Sequence, residues 1–237
     1  MKKIMFNEQF GLQQATFAGL KTMTRRAVPN KTIKDALAYQ SHHIDDEKAY
    51  EKYILDHAQY KVGEIVAIAQ RYEDLANGGY LDIMMDGPLS MKKEYSGAGY
   101  KNKMFVKPEL MPHHIKITGI KVEGLRDISD EDCLKEGIIT TDLHSYTVGD
   151  YLLWDKHLRQ RAFSTPFKAF EILIKNLYGE KFWYRNPLVL AYTFELANKK
   201  EHYCPFNFLL MLMNLLFYKP LHKQSIETNM FLSVFGF

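Results

Sequence analysis

The stretch on which our interpretation of the fold depends is Gly19-Leu20-Lys21-Thr22-Met23-Thr24-Arg25-Arg26. It follows a segment with a helical pattern, residues 8–18, and Gly19 suits the left-handed conformation in which many helices end. Lys21 can act as a base only where burial or a neighbouring cation lowers its pKa. Thr24 supplies a hydroxyl three residues later. On a flat strand these two side chains would lie on opposite faces, so joint chemistry requires a turn.

The same stretch also carries groups that suit the binding of an anion. Arg25 and Arg26 can each donate two parallel hydrogen bonds to a phosphate, and Thr22 adds a hydroxyl. The composition is equally typical of a solvated basic turn, because clusters of Lys and Arg are common on protein surfaces. The stretch by itself leaves both interpretations open.

Three apolar segments further along the chain predict the strands of a small sheet. Residues 65–69 form an unbroken apolar run after a turn, which indicates a buried strand. Residues 115–123 alternate in polarity but change phase at Gly119, which predicts a β-bulge at Thr118-Gly119. Bulges of this kind bend a sheet towards a small barrel. Residues 188–194 alternate again and predict a closing strand.

A short helix is predicted directly after Ser129, which is a suitable N-cap. Three acidic residues follow at 130–132, where they favour the positive end of the helix dipole, and Gly137 suits the end of the helix. Glu136 lies in the last turn, where a carboxylate faces the negative end at a cost of about 0.3–1 kcal/mol. A residue that breaks a local rule is a candidate for function. An exposed glutamate at a frayed helix end is the alternative.

The remaining regions give less specific predictions. Residues 30–60 have a helical pattern, and Pro166 to Gly179 bound a helix with a clear apolar stripe. A hairpin is predicted around residues 148–150. The glycine-rich connection within residues 72–104 places Tyr100 beside Lys101, a combination that suits the stacking and phosphate contacts of single-stranded nucleic acid. A surface hairpin without such a role is the alternative.

Three landmarks in order resemble the ASCH domain, a relative of the PUA RNA-binding barrel, and its phage and prophage members in particular. They cover about residues 3–196: Gly-x-Lys-x-x-Thr-x-Arg at 19–26, Leu125-Arg126-Asp127-Ile128-Ser129 leading to Glu136-Gly137-Ile138, and Trp183-x-x-Asn186-Pro187 before the last strand. The resemblance implies a mixed α/β (α+β) domain over residues 1–197, a small bent PUA-like β-barrel with surrounding helices and insertions at about 72–104 and 140–160.

The resemblance also implies a site. One bacterial branch of the ASCH family hydrolyses the acetyl amide of acetylated cytidine with a lysine, a threonine and a glutamate, which match Lys21, Thr24 and Glu136. Thr24 would attack the carbonyl, Lys21 would accept its proton, and Glu136 would relay a proton to the leaving amine. The alternative is a binding module for RNA or a modified base, in which Lys21, Arg25 and Arg26 contact phosphates or bases. RNA or a nucleoside is the expected partner in either case.

Composition excludes some classes of protein. The net charge of +3 permits contact with nucleic acid without requiring it. The two cysteines form neither a metal-binding spacing nor a disulfide framework, so we expect a reducing, cytoplasmic location. Adjacent histidines at 42 and 43 are expected to be solvated, and we expect no metal or cofactor.

Residues 198–237 form an apolar C-terminal extension beyond the resemblance. Within it, residues 206–218 are too short an apolar run to span a bilayer. This run is compatible with a packed helix or with the binding of a protein partner, which leaves a phage-encoded interaction factor as a third interpretation.

Overall fold

The computed structural model describes residues 1–77, 97–142, 145–148 and 163–197. The strands are β1 (Lys2–Ile4), β2 (Met23–Ala27), β3 (Ile65–Ile68), β4 (His114–Gly124), β5 (Ile138–Asp142), β6 (Ser145–Val148) and β7 (Leu188–Leu196). The helices are α1 (Leu12–Phe17), α2 (Asn30–Ser41), α3 (Ala49–Asp56), α4 (Tyr72–Asn77), α5 (Asp130–Lys135), α6 (Pro166–Tyr178) and α7 (Glu180–Arg185). The predicted mixed α/β class is confirmed.

Five of the strands form one mixed sheet in the order β1-β3-β4-β7-β2. β1 pairs with β3 in parallel, and the other neighbours are antiparallel. Within the described residues the sheet is open. The small barrel that the sequence predicted is therefore not closed. A closed barrel requires its two edge strands to pair. The three-residue β1 and the five-residue β2 are those edges, and they do not pair with each other.

The predicted bulge in β4 is confirmed. The register against β7 shifts between Ile117 and Gly119, so that Ile117 faces Phe194 and Gly119 faces Thr193. The extra residue explains why apolar side chains change phase along this strand. A bulge increases local twist and bends the strand.

The two faces of the sheet carry different side chains of β2. Register places Thr24 of β2 beside Tyr192 of β7, whereas Arg25 lies beside Ala191. Since successive side chains of a strand point to opposite faces, Tyr192 and Thr24 share one face and Arg25 occupies the other. The central position of β7 explains why it is buried on both faces. The main core is built from these strands, α1 and α6.

Local signals predicted several helix boundaries. Ser129 caps α5 by accepting a hydrogen bond from the backbone N–H of Asp132, and α6 runs from Pro166 to Tyr178 before Gly179, as predicted. The helical pattern of residues 30–60 corresponds to two helices, α2 and α3, separated by residues 42–48. Of the hairpin predicted around 148–150, residues 149 and 150 lie outside the described residues; Val148 ends β6, where it pairs with Ile138 of β5.

Several predictions concern residues outside the described ranges. Most of the glycine-rich connection, residues 78–96, and the whole extension from residue 198 fall in this group, as does the apolar run 206–218. In the described part of the chain, no helix combines the length and the apolar composition that crossing a membrane requires.

Candidate functional site

A tight turn after α1 positions Lys21. Gly19 has φ of +73°, the left-handed value that favours glycine, and it ends the helix as the sequence predicted. The backbone N–H groups of Leu20 and Lys21 both donate to the carbonyl of Ala15, which fixes the chain reversal. The N–H of Thr22 then donates to the carbonyl of Lys135 at the end of α5. Residues 19–26 are therefore attached directly to α5, the helix that Glu136 caps.

Lys21 and Glu136 form a buried ion pair although 115 positions separate them in the sequence. The Lys21 ammonium donates to Oε2 of Glu136 at 2.6 Å and to the Glu136 backbone carbonyl at 2.8 Å. The side chains are only 2% and 6% exposed. Gly137 follows with φ of +97°, and a Cβ there would lie 3.5 Å from the Lys21 Cβ. The backbone thus brings the glutamate to the lysine at close range.

Arg25 connects this pair to two further carboxylates. Its Nη1 donates to Oε1 of Glu136 at 3.0 Å, its Nε donates to Oε1 of Glu123 at 2.8 Å, and Nη2 lies 3.3 Å from Oδ2 of Asp132. Its side chain is 2% exposed, and its guanidinium carbon lies 5.9 Å from the centre of the Phe170 ring. Arg25 binds the second carboxylate oxygen of Glu136. Two cations, Lys21 and Arg25, therefore hold this glutamate.

Asp132 extends the cluster towards the surface. It accepts hydrogen bonds from Lys121 at 2.5 Å and from Lys135 at 3.0 Å, and Lys121 also pairs with Glu123 at 2.9 Å. Burial opposes ionisation of Asp132, but these two lysines outweigh it and lower the pKa of its carboxyl to about 2. We define the ion cluster as these seven residues: Lys21, Arg25, Lys121, Glu123, Asp132, Lys135 and Glu136.

The electrostatic state of Lys21 results from opposing influences. Burial lowers the pKa of its ammonium, because the charged form loses its hydration. The adjacent Glu136 carboxylate acts in the other direction, and the positive charges of Arg26 and Arg25 reinforce the lowering. The net effect is a lowered pKa of Lys21, because burial is the largest of these influences. A buried lysine with a depressed pKa is the form in which lysine serves as a base.

Thr24 is buried but stands apart from the ion cluster. It is 5% exposed, and it occupies the position of β2 next to Arg25. Strand alternation directs its side chain to the face opposite Arg25. Within the described residues its hydroxyl makes no hydrogen bond to Lys21 or Glu136. The structure thus brings together two of the three residues predicted to be catalytic, and places the third one strand position away.

The residues predicted to bind nucleic acid or substrate lie in three different places. Arg25 directs its guanidinium into the ion cluster, and Thr22 uses its backbone groups to join α5 and β7. Arg26 is partly exposed and lies beside β1, where its Nη2 donates to the Met5 carbonyl at 2.6 Å. Tyr100 packs against the small apolar cluster around Tyr72.

Lys101, which follows Tyr100 in the sequence, is exposed. These binding roles stay predictions.

Four of the seven residues of the ion cluster have no predicted functional role: Lys121, Glu123, Asp132 and Lys135. Lys121 and Glu123 lie two positions apart on β4, and the sequence indicates for Asp132 only a favourable charge at the start of α5. A signal was present, since two alternate positions of a predicted strand carry opposite charges, and such pairs share one face. The sequence alone does not show that β4, β2 and α5 lie close together, which is what makes the residues of the ion cluster neighbours.

Within the described residues no group of three or more His, Cys, Asp or Glu side chains is arranged to hold a metal ion. The chain matches no protein-family model, and comparisons with curated proteins and with solved structures give no match.

Proposed function

We propose that this chain is an ASCH-like, PUA-like protein that acts on RNA or a modified nucleoside, by hydrolysis of the amide of acetylated cytidine. The observation that carries the proposal is the buried contact of Lys21 with Glu136 at 2.6 Å. The resemblance implies that these two residues share one site, although 115 positions separate them in the sequence. Their contact supports a site in which Lys21 and Glu136 act together, as the matching lysine and glutamate do in the ASCH hydrolases.

The chemistry follows from the environment of each group. Burial favours the neutral amine of Lys21, which would accept the hydroxyl proton of Thr24 as that oxygen attacks the amide carbonyl. The C–N bond then breaks, the amine leaves with a proton relayed through Glu136, and water hydrolyses the acyl-threonine. Arg25 would keep the Glu136 carboxylate oriented towards Lys21. Within the described residues the Thr24 hydroxyl makes no hydrogen bond, and its side chain is 5% exposed.

A second candidate function is recognition without chemistry, and one observation favours it. The ion cluster is closed: both oxygens of Glu136 and two of the three donors of Lys21 are engaged by protein groups. Such a cluster also suits a rigid scaffold beneath a binding surface. In that case the cations at the surface, and not Lys21, would contact the ligand.

Lys21→Arg separates the two functions. Arginine keeps the positive charge but stays protonated at every ordinary pH, so it cannot act as a base. Hydrolysis of acetylated cytidine should fall by about two to four orders of magnitude. Thr24→Ser should retain activity that Thr24→Val loses, and Lys175→Arg, a surface change, is the control. Equal hydrolysis by Lys21→Arg and wild type, or none by either between pH 6 and 9, would leave only the recognition function.

A further inference from the structure

The ion cluster contains a continuous chain of alternating charges that leads from solvent to Lys21. The side chain of Lys121 is 46% exposed, and its ammonium lies 2.9 Å from Oε2 of Glu123. The other carboxylate oxygen of Glu123 accepts from Nε of Arg25 at 2.8 Å. Arg25 then binds Oε1 of Glu136, and Oε2 of Glu136 binds Lys21. These five residues follow each other as cation, carboxylate, cation, carboxylate and cation.

The register of the sheet explains how the outer part of this chain reaches the inner part. Lys121 of β4 and Arg25 of β2 are both paired with Ala191 of β7. The three residues therefore form one row on one face of the sheet, with about 10 Å between the two outer Cα atoms. Glu123 lies two positions from Lys121 and shares its face. Its carboxylate can thus contact Arg25 across the strand that lies between them.

The number of charges in the ion cluster indicates that one member gives up a proton. The cluster has four cations and three carboxylates, so its charges balance when one cation is neutral. Arginine stays protonated at every ordinary pH, which leaves the three lysines. Lys121 and Lys135 are 46% and 45% exposed, whereas Lys21 is 2% exposed. Because burial lowers the pKa of Lys21, this lysine is the member that loses its proton.

We infer that Glu123 and Lys121 are positioning residues, which act on Lys21 through Arg25 and Glu136. Within the described residues neither of them makes a hydrogen bond or an ion pair with Lys21. Glu123 occupies Nε of Arg25, so that Arg25 reaches Glu136 through Nη1 and leaves Oε2 of Glu136 to Lys21. For the catalytic importance of Lys21 this inference rests on the proposed function.

The two positioning residues should act on the Lys21 ammonium in opposite directions. The negative charge of Glu123 favours the protonated form of Lys21, and the positive charge of Lys121 disfavours it. The charged groups that face Lys21 directly are Glu136 at the end of α5 and the two arginines of β2, and all three stay unchanged when Glu123 or Lys121 is replaced. Removal of the Glu123 charge should therefore lower the pKa of Lys21, and removal of the Lys121 charge should raise it. Loss of a merely structural contact would not produce two opposite shifts.

The test is an NMR titration of the full chain, labelled with ¹³C at the Cε atoms of its lysines. The Lys21 signal is identified by its absence from Lys21→Arg. The two variants are Glu123→Gln and Lys121→Met. The matched controls are Glu171→Gln and Lys175→Met, which remove the same charges from an ion pair of α6 outside the ion cluster. Circular dichroism and thermal unfolding establish which variants fold.

We expect the midpoint of the Lys21 titration to move to lower pH in Glu123→Gln and to higher pH in Lys121→Met. Both controls should keep the midpoint of the wild type. Since Lys121 is 46% exposed, its replacement is tolerated by the fold, and its shift decides the result if Glu123→Gln does not fold. Shifts in the same direction would overturn the inference. So would a Lys21 titration that is identical in wild type and variants, including no titration in any of them.

Hydrolysis of acetylated cytidine provides a second measurement, which separates this inference from the proposed function. The rate should rise with pH as Lys21 loses its proton, and the midpoint of that rise should move in the same two directions as the NMR midpoint. Opposite NMR shifts without any hydrolysis would refute the proposed function and support the positioning roles. Hydrolysis with a pH profile that neither variant changes would overturn the positioning roles and leave the proposed function in place.

Discussion

Removal of the Lys21 ammonium tests whether the ion cluster is as tightly enclosed as its geometry indicates. The prediction concerns Lys21→Met, which keeps most of the side-chain volume and leaves Glu136 with one cationic partner instead of two. Loss of one member of a buried ion pair costs about 3–5 kcal/mol where the remaining charge is left without a partner. Glu136 keeps Arg25, so we expect the lower end of that range, about 3 kcal/mol. An exposed pair is worth at most about 1 kcal/mol. The exposures of 2% and 6% place this pair in the first class.

The assay is chemical denaturation at pH 7 with a matched control. Lys175→Met breaks an ion pair of the same 2.6 Å length, between Lys175 and Glu171 on the surface of α6. This control should lose much less stability, because its side chains reach solvent. Lys21→Met should lose about 3 kcal/mol, or roughly 6–12 °C in Tm.

A double-mutant cycle completes the test. Glu136→Gln removes the charge that Lys21→Met leaves behind, so the double variant should be more stable than the sum of the single effects predicts. The interaction energy should be about 1–3 kcal/mol. If Lys21→Met cost less than 1 kcal/mol, or if the two single effects simply added, the reasoning from burial would be refuted, together with the depressed pKa that depends on it.

Three further predictions concern α5 and its surroundings. Because the folded pKa of Asp132 is about 2 and its ordinary value is 3.8, its contribution to stability is present above pH 4 and is lost as the pH falls towards 2. Asp132→Asn should remove that part of the acid dependence, about 2 kcal/mol in unfolding experiments over this range, and an unchanged pH profile would contradict the assignment. Ser129→Ala should destabilise the protein by about 1 kcal/mol in denaturation, since it removes the hydrogen bond to the Asp132 N–H; Ser41→Ala, whose hydroxyl donates to a carbonyl at the exposed end of α2, should cost less. Burial raises the pKa of the Cys133 thiol to about 12, so at pH 8 the folded chain should react with a maleimide at Cys133 far more slowly than the unfolded chain, and equal rates would argue against its burial.

Much of the local structure was determined by the sequence. The sequence of residues 115–123 predicts the bulge, because the apolar residues change from odd to even positions at Gly119 and one extra residue explains that change. The register shift at Gly119 confirms the prediction. Ser129 and Gly137 bound α5 through capping and positive φ, which are properties of single residues and their immediate neighbours. The mixed α/β class follows from the same local signals.

The relation of the sheet edges was decided only by the tertiary structure. Alternation shows that a segment is a strand, but it does not state which strands pair. The bulge and the resemblance favour a small bent barrel, whereas within the described residues β1 and β2 are the two separate edges of an open sheet. Pairing depends on the sum of twist, bulge position and strand length across the whole sheet, and no single residue encodes that sum.

The ion cluster has the same origin. The sequence identified Lys21 and Glu136 as individual residues, one by a motif and one because a carboxylate at a helix end breaks a local rule. Only the fold supplies the reason for that exception: the negative end of α5 is compensated by Lys21 and Arg25 from β2 and the turn before it. Charge pairing at 2.6 Å is a three-dimensional property, because burial sets its strength and residues 115 positions apart provide its partners.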